Sequence, residues 1–229
     1  MKTTMEVRDH TENKAIIFDL DGVICDTAEF HFLAWKQITE EEDIYFDKII
    51  YERLKGVSRL TGLEIILEKA SRIYTEAEKK DIAKRKNNIY KEYLKHLSSE
   101  SLLPGVEEFI AELKDNDYKL GICSASKNAP GILDYLGTTE WFDTIVSGND
   151  PIEPKPHPAG FLLAAKRLKV NPHNCIVIED AFAGIESAKK AGMKTVGIGD
   201  KKVLFNADTV LSSTQSLKLQ YLETYFGKI

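Results

Sequence analysis

Short apolar runs that stop abruptly at polar residues recur along this chain of 229 residues. The first, Ala15-Ile16-Ile17-Phe18, ends at Asp19-Leu20-Asp21-Gly22. A run this short, apolar at every position and closed by glycine, predicts a β-strand covered on both faces, because a strand with one wet face alternates. The same signature returns at residues 119–123, 144–146, 175–178 and 195–198. Between these runs the spacing is helical, as at 106–113, 161–168 and 183–191, the last closed by Gly192 as a C-cap. Strands alternating with helices predict a parallel sheet with helices on both sides, an open α/β fold.

That rhythm breaks once. From residue 28 to residue 97 no strand signature appears, and 29–39, 62–70 and the charged run 75–94 carry helix-forming sequence. Such a block, set between the first strand and the next α/β unit, predicts a helical cap domain of residues 28–97. The core then consists of residues 1–27 and 98–229, with Ser98, Ser99 and Pro104-Gly105 marking the return. Residues 1–13 are polar without periodicity and are expected to form a loosely held arm.

Composition narrows the class. Hydrophobic residues at 43% supply a core without disulfides or a structural metal. Thirty-six acids against 31 Lys and Arg, a net charge of −5, argue against a general nucleic-acid binder, whose footprint is basic. No apolar run approaches the roughly 20 residues of a membrane span, and the polar amino terminus lacks a signal-peptide core. Three cysteines without a CxxC pair fit a reducing compartment. The expectation is a cytoplasmic protein with no membrane or nucleic-acid partner.

Ligands of open parallel sheets bind beyond the carboxyl ends of the strands, so the polar residues there carry the chemistry. These are Asp19 and Asp21, then Ser124-Ala125-Ser126-Lys127-Asn128, then Lys155 between Pro154 and Pro156, then Glu179-Asp180. Asp19 and Asp21, two apart on an extended segment, are expected to leave on the same side. Their repulsion, increased by Glu179 and Asp180, suits a hard divalent cation such as Mg²⁺. With Lys155 and the cation, the acidic pocket becomes one that accepts a phosphoryl group, its oxygens held by Ser124 and the backbone N–H groups after it. Asp19 is the expected nucleophile and Asp21 the general acid–base. Taken singly, Asp19 and Asp21 also read as an acidic turn or a helix N-cap. Cys123 reads as strand packing, Trp35 and Trp141 as core, and the charged run 76–95 as a solvated helix face in which Lys86 alone is a candidate.

The ordered set Asp19-Leu20-Asp21-Gly22-Val23, Ser124, Lys155 and Glu179-Asp180 resembles the haloacid dehalogenase superfamily of phosphotransferases. Further strings are similar to its β-phosphoglucomutase family: Asp26-Thr27-Ala28-Glu29-Phe30-His31-Phe32, Leu54-Lys55-Gly56-Val57-Ser58-Arg59, Ala83-Lys84-Arg85-Lys86-Asn87 and Ser124-Ala125-Ser126-Lys127-Asn128. The resemblance implies a Rossmann-like α/β core with an inserted helical cap, with Asp19 phosphorylated and Asp21 the acid–base. It implies Mg²⁺ held by Asp19, the backbone carbonyl of Asp21, and Asp180, with Glu179 nearby. Ser124, Ala125 and Lys155 are implied to hold the transferring phosphoryl. Thr27, His31, Lys55, Gly56, Val57, Ser58, Arg59, Ser126, Lys127 and Asn128 are implied to bind the sugar phosphate, with Lys86 poised from the cap. The implied activity interconverts β-D-glucose 1-phosphate and glucose 6-phosphate through a bisphosphate, in a monomer. A mutase needs a lid that excludes water and a second, distal anion site, for which the cap's Arg59 is suited by its bidentate guanidinium. The alternatives are a phosphatase acting on a sugar phosphate or phosphoglycolate, and a catalytically silent scaffold. One departure stands out: Ala159 occupies a position usually held by aspartate, which is expected to alter the hydrogen bonding that orients Lys155.

Overall fold

The computed structural model describes residues 14–226; the amino-terminal arm expected at 1–13 lies outside them. Its centre is β1 (Ala15–Phe18), hydrogen-bonded in parallel to β2 (Lys119–Cys123) on one side and β4 (Cys175–Glu179) on the other. β3 (Thr144–Val146) extends the sheet beyond β2, and β5 (Lys194–Ile198) and β6 (Thr209–Leu211) extend it beyond β4. The order β3-β2-β1-β4-β5-β6 reverses direction at β1, the topological switch point at which such sheets bind ligands. Phe18 is in register with both Ile122 and Ile178, so the three central strands end side by side.

Alternation along β1 divides the core in two. Ile16 and Phe18 face α5 (Val106–Asp115), α6 (Ala129–Leu136) and α9 (Leu219–Phe226), whereas Ala15 and Ile17 face α7 (Ala159–Leu168) and α8 (Phe182–Lys190). The elements between β1 and α5 include α1 (Ala28–Glu41), α2 (Lys48–Glu52), α3 (Arg59–Leu67) and α4 (Glu76–Leu94). These helices bury an apolar cluster of their own, including Trp35, Ile38, Ile66 and Ile82. Thr75 starts α4 through a capping box with Glu78, and Ser58 starts α3 by accepting the Thr61 N–H at 3.1 Å.

That Ser58 cap corrects the sequence reading of a helix over 62–70: α3 begins at Arg59 and ends at Leu67. The hydroxyl outweighs the apolar periodicity in setting the start. β6, α2, α6 and α9 carried no assignment from sequence; each is eight residues or fewer, too short for periodicity to separate from loop. Among the described residues no helix is long and apolar enough to cross a membrane, and all three cysteines are free and buried.

Phe109, 1% exposed and edge-on to Phe18 with ring centroids 6.2 Å apart, ties α5 to the central strand. Phe109→Ala is expected to lose about 3–5 kcal/mol of unfolding free energy. Phe205→Ala, at a position 71% exposed, is expected to stay within about 0.5 kcal/mol. Urea unfolding followed by circular dichroism measures both.

Candidate active site

The ladder continues one residue past the end of β1. The Asp19 N–H donates to the Ile178 carbonyl at 2.9 Å, which sets Asp19 beside Glu179 and Asp180. The chain then folds back in a tight turn, with the Gly22 N–H donating to the Cys25 carbonyl at 2.7 Å. Gly22 has φ +85°, and a Cβ there would lie 2.3 Å from Asp180 Oδ2. A Cβ on Gly184 would lie 1.9 Å from Glu179 Oε2. Two glycines therefore leave the space that two of the carboxylates occupy.

Asp19, Glu179 and Asp180 each offer an oxygen within 4.8 Å of the others. Lys155 reaches into this group, its ammonium 2.5 Å from Asp19 Oδ1 and 2.8 Å from Glu179 Oε2. Glu179 also accepts the Ala181 N–H at 3.1 Å, so both of its oxygens are engaged within the protein. Burial opposes charge on Lys155, but the adjacent Asp19 and Glu179 carboxylates hold its pKa well above the ordinary lysine value. Burial and then Asp19 push Glu179 up to about 7, against the pull of Lys155. Burial, with Glu179 and Asp19 nearby, drives Asp180 well above the carboxylate range. One lysine does not neutralise three acids, and the residual repulsion together with a hard oxygen donor set fits a divalent cation.

The Asp21 carboxylate lies apart from that oxygen cluster. Its Oδ1 accepts a short hydrogen bond from the Thr27 hydroxyl, which in turn accepts from the Tyr90 hydroxyl at 3.2 Å. Burial, then the Asp19 charge, raise Asp21 to about 6. Asp19 and Asp21 both line the same cavity, but in different environments, so one acid is crowded by neighbours and the other is free to titrate near neutrality.

The cap supplies the opposite wall. Lys86 is 1% exposed, with its ammonium 2.6 Å from His31 Nδ1 and set over the rings of Tyr90 at 4.6 Å and Trp35 at 5.1 Å. His31 stacks on Tyr90 with ring centroids 4.0 Å apart. Burial, then Lys86 and Arg59, lower His31 far below its usual value, so the ring shares its hydrogen bond with Lys86 in the neutral form. This corrects the reading of the α4 charged run as a solvated face with Lys86 its one candidate: Ile82, Ala83, Lys86 and Tyr90 form a buried stripe at three- and four-residue spacing. Trp35 is buried in the cap cluster and also lines the cavity.

The cavity between cap and strand ends measures about 630 Å³. It is lined by Asp19, Asp21, Asp180 and Lys155, by the loop from Ser124 to Asn128, and by His31, Lys86 and the cap segment from Lys55 to Arg59. Every site residue read from sequence lines it except Thr27 and Glu179, which are wholly buried behind Asp21 and Lys155. Within the Ser124 loop, Ser124 Oγ accepts the Ser126 N–H and Ser126 Oγ accepts the Asn128 N–H, each at 3.1 Å. The Asn128 amide crosses to the cap, donating to Asn87 Oδ1 at 2.8 Å. Arg59 is half-buried and has no carboxylate within ion-pair distance among the described residues. Lys55 pairs with Glu52 at 3.0 Å. Sequence reasoning missed Tyr90 and Asn87 as site residues; the signal for both is their helical spacing from Lys86 and Ala83. The missing aspartate at Ala159 leaves Lys155 anchored, because Asp19 and Glu179 hold the ammonium directly, while the Ala159 N–H donates to His157 Nδ1 at 3.3 Å.

Residues 16–198 match the model of the haloacid dehalogenase-like hydrolase family. The chain is 47% identical to a β-phosphoglucomutase of Bacillus subtilis over 211 residues, 91% of this chain and 93% of that protein. It is 31% identical to a phosphorylated carbohydrates phosphatase of Thermotoga maritima, covering 86% of this chain and 92% of the relative. The crystal structure of a β-phosphoglucomutase from Clostridium difficile superposes with a TM-score of 0.90 at 42% identity, covering 94% of this chain and 98% of that one. The strand order, the acid cluster with its lysine and these matches agree: the chain belongs to the haloacid dehalogenase-like hydrolase family, on its β-phosphoglucomutase branch.

Proposed function

We propose that this protein interconverts β-D-glucose 1-phosphate and glucose 6-phosphate through a phospho-aspartyl enzyme and a glucose bisphosphate. The observation that carries the reading is one cavity with an acid cluster suited to a cation at its floor and an arginine at its other side. Asp19, Asp180 and Lys155 lie at the floor, and Arg59, without a carboxylate partner, lies on the cap. A bisphosphate fits such a cavity in either direction, which is what exchange between the two monophosphates requires. The 47% identical β-phosphoglucomutase supports the same reading.

Asp19 attacks the phosphoryl group, held in line by Lys155 and by the hydroxyl and N–H groups of the loop from Ser124. Asp21 gives its proton to the leaving sugar oxygen and takes one from the hydroxyl that attacks next, a role suited to a pKa near neutrality. Thr27 orients that carboxylate through its hydroxyl. Asp19, Asp180 and the Asp21 backbone carbonyl would hold Mg²⁺, which when bound offsets charge on the transferring group. Glu179 fixes Lys155 rather than facing the cavity. Residues 28–97 act as a lid that excludes water, so that a sugar hydroxyl rather than water receives the phosphoryl group. The small-molecule partner is a sugar phosphate, met by a cytoplasmic monomer. The Thermotoga relative favours a second reading, a sugar-phosphate phosphatase, in which water replaces the sugar hydroxyl.

A coupled assay for glucose 6-phosphate from β-D-glucose 1-phosphate, primed with bisphosphate, tests the reading. Isomerisation is expected to outrun phosphate release, and the reverse ranking assigns the phosphatase. Arg59→Ala is expected to lower kcat/KM for isomerisation by about 10- to 100-fold, the cost of a lost charge-assisted phosphate contact. Phosphorylation of Asp19 by acetyl phosphate should survive that change and disappear in Asp19→Asn, as read by mass spectrometry.

The crowded acids also set a pH dependence. Asp21 and Glu179 have folded-state pKa values raised to about 6 and about 7, so between their unfolded values and these the native state binds more protons than the unfolded chain. Their contribution to stability is present in full below pH ~4 and is lost as pH rises through the folded values. In chelator, the wild-type melting temperature measured against that of Asp21→Asn is expected to fall between pH ~5 and pH ~8, a difference that isolates this contribution from the opposing one of neutral His31. Added Mg²⁺ should raise it more at the higher pH; equal melting temperatures throughout would remove the cation from this site.

A further inference from the structure

The cations of α4 fall into two groups. Lys79 is tied to Glu64 at 2.9 Å and to Glu76 at 3.0 Å, and Arg85 is tied to Glu41, Glu42 and Asp81. Lys80, Lys84 and Lys91 are exposed, and among the described residues none of them has a carboxylate within ion-pair distance. Lys80 and Lys84, one helical turn apart, line the cavity, whereas Lys91 lies away from it.

A lysine left without a counter-charge projects its field into solvent, while a paired one is largely cancelled at a distance. Two further acids line the cavity. Asp150 receives the Arg167 guanidinium at 2.5 Å and the Ser147 N–H at 2.8 Å, and Glu153 sits 3.2 Å from His157 Nε2. Lys86, deeper in the wall, adds little, since burial, then Arg59, drive its pKa far below the ordinary lysine value. Lysines and Arg59 thus outnumber carboxylates around the cavity of a chain whose net charge is −5.

We propose that Lys80 and Lys84 form an electrostatic entry for doubly charged phosphate esters, setting how fast they reach the cavity and how often a departing bisphosphate is recaptured. The inference deepens the isomerase reading and rests on it, because that reaction requires a bisphosphate to leave the floor and return reversed. The two lysines act on the encounter and not on the reacting atoms, so their effect belongs to association and fades with salt.

Rapid mixing with Trp35 fluorescence as the reporter tests this, using inorganic pyrophosphate and glucose 1,6-bisphosphate as probes. At ~10 mM salt, Lys80→Gln/Lys84→Gln is expected to slow association by about three- to ten-fold, and the gap should close near ~1 M as the screening length falls from about 30 Å to about 3 Å. Dissociation should be unchanged, Lys80→Arg/Lys84→Arg should restore the rate, and Lys91→Gln should leave it at the wild-type value. Equal association rates at low salt overturn the proposal. So does a slowing that persists at high salt with faster dissociation, which marks contact rather than steering. Wild-type protein that shows lysine-dependent pyrophosphate association but no isomerisation overturns the isomerase reading alone.

Discussion

A single buried ammonium holds this site together. Lys155 bridges Asp19 and Glu179 at the ends of β1 and β4, and without it those carboxylates would be driven apart or protonated. The bridge is possible because both strands end in register at the switch point of the sheet, so the first polar residue of each emerges at the same level. Desolvation of the ammonium is offset by two carboxylates and by the face of Phe161, 5.0 Å away. What remains are Asp180 and Asp21, two carboxyl groups whose charged forms burial and neighbouring acids oppose, which is the condition for drawing in a cation and, through it, an anion.

The cap answers with the opposite design. Its Lys86 has no carboxylate within ion-pair distance among the described residues and rests on a neutral histidine and two aromatic faces. One wall of the cavity therefore carries a charged lysine locked between acids, and the other a lysine that is costly to charge. The walls meet in part through the side-chain hydrogen bond from Asn128 to Asn87, worth on the order of 1 kcal/mol.

Much of this was legible in the residues. The strands β1 to β5 announced themselves as apolar runs ending in polar residues, since a parallel strand buried on both faces has no room for alternation. Asp19, Lys155 and Asp180 followed from the rule that ligands gather at strand ends. A division of roles between Asp19 and Asp21 was read from the sequence, but the Thr27 and Tyr90 hydroxyls that give Asp21 its own surroundings were not, because the chain turns at Gly22 and leaves the strand. Lys86 was named as a candidate from the sequence, but its burial was not legible there. In a run as charged as α4, the buried stripe shows only once Ile82, Ala83 and Tyr90 are seen to share its face. Short elements such as β6 and α2 had no periodicity to read, and their place is set by packing rather than local preference.

The glycines at positions 22 and 184 extend this picture to inheritance. Neither offers a side chain to a ligand, yet each marks a volume that an added methyl group and a carboxylate would contest. The smallest possible mutation at these positions would leave every reactive side chain present while shifting the oxygens that do the work. A relative keeping the full set of acids but carrying alanine there would look intact on paper and be crippled in practice.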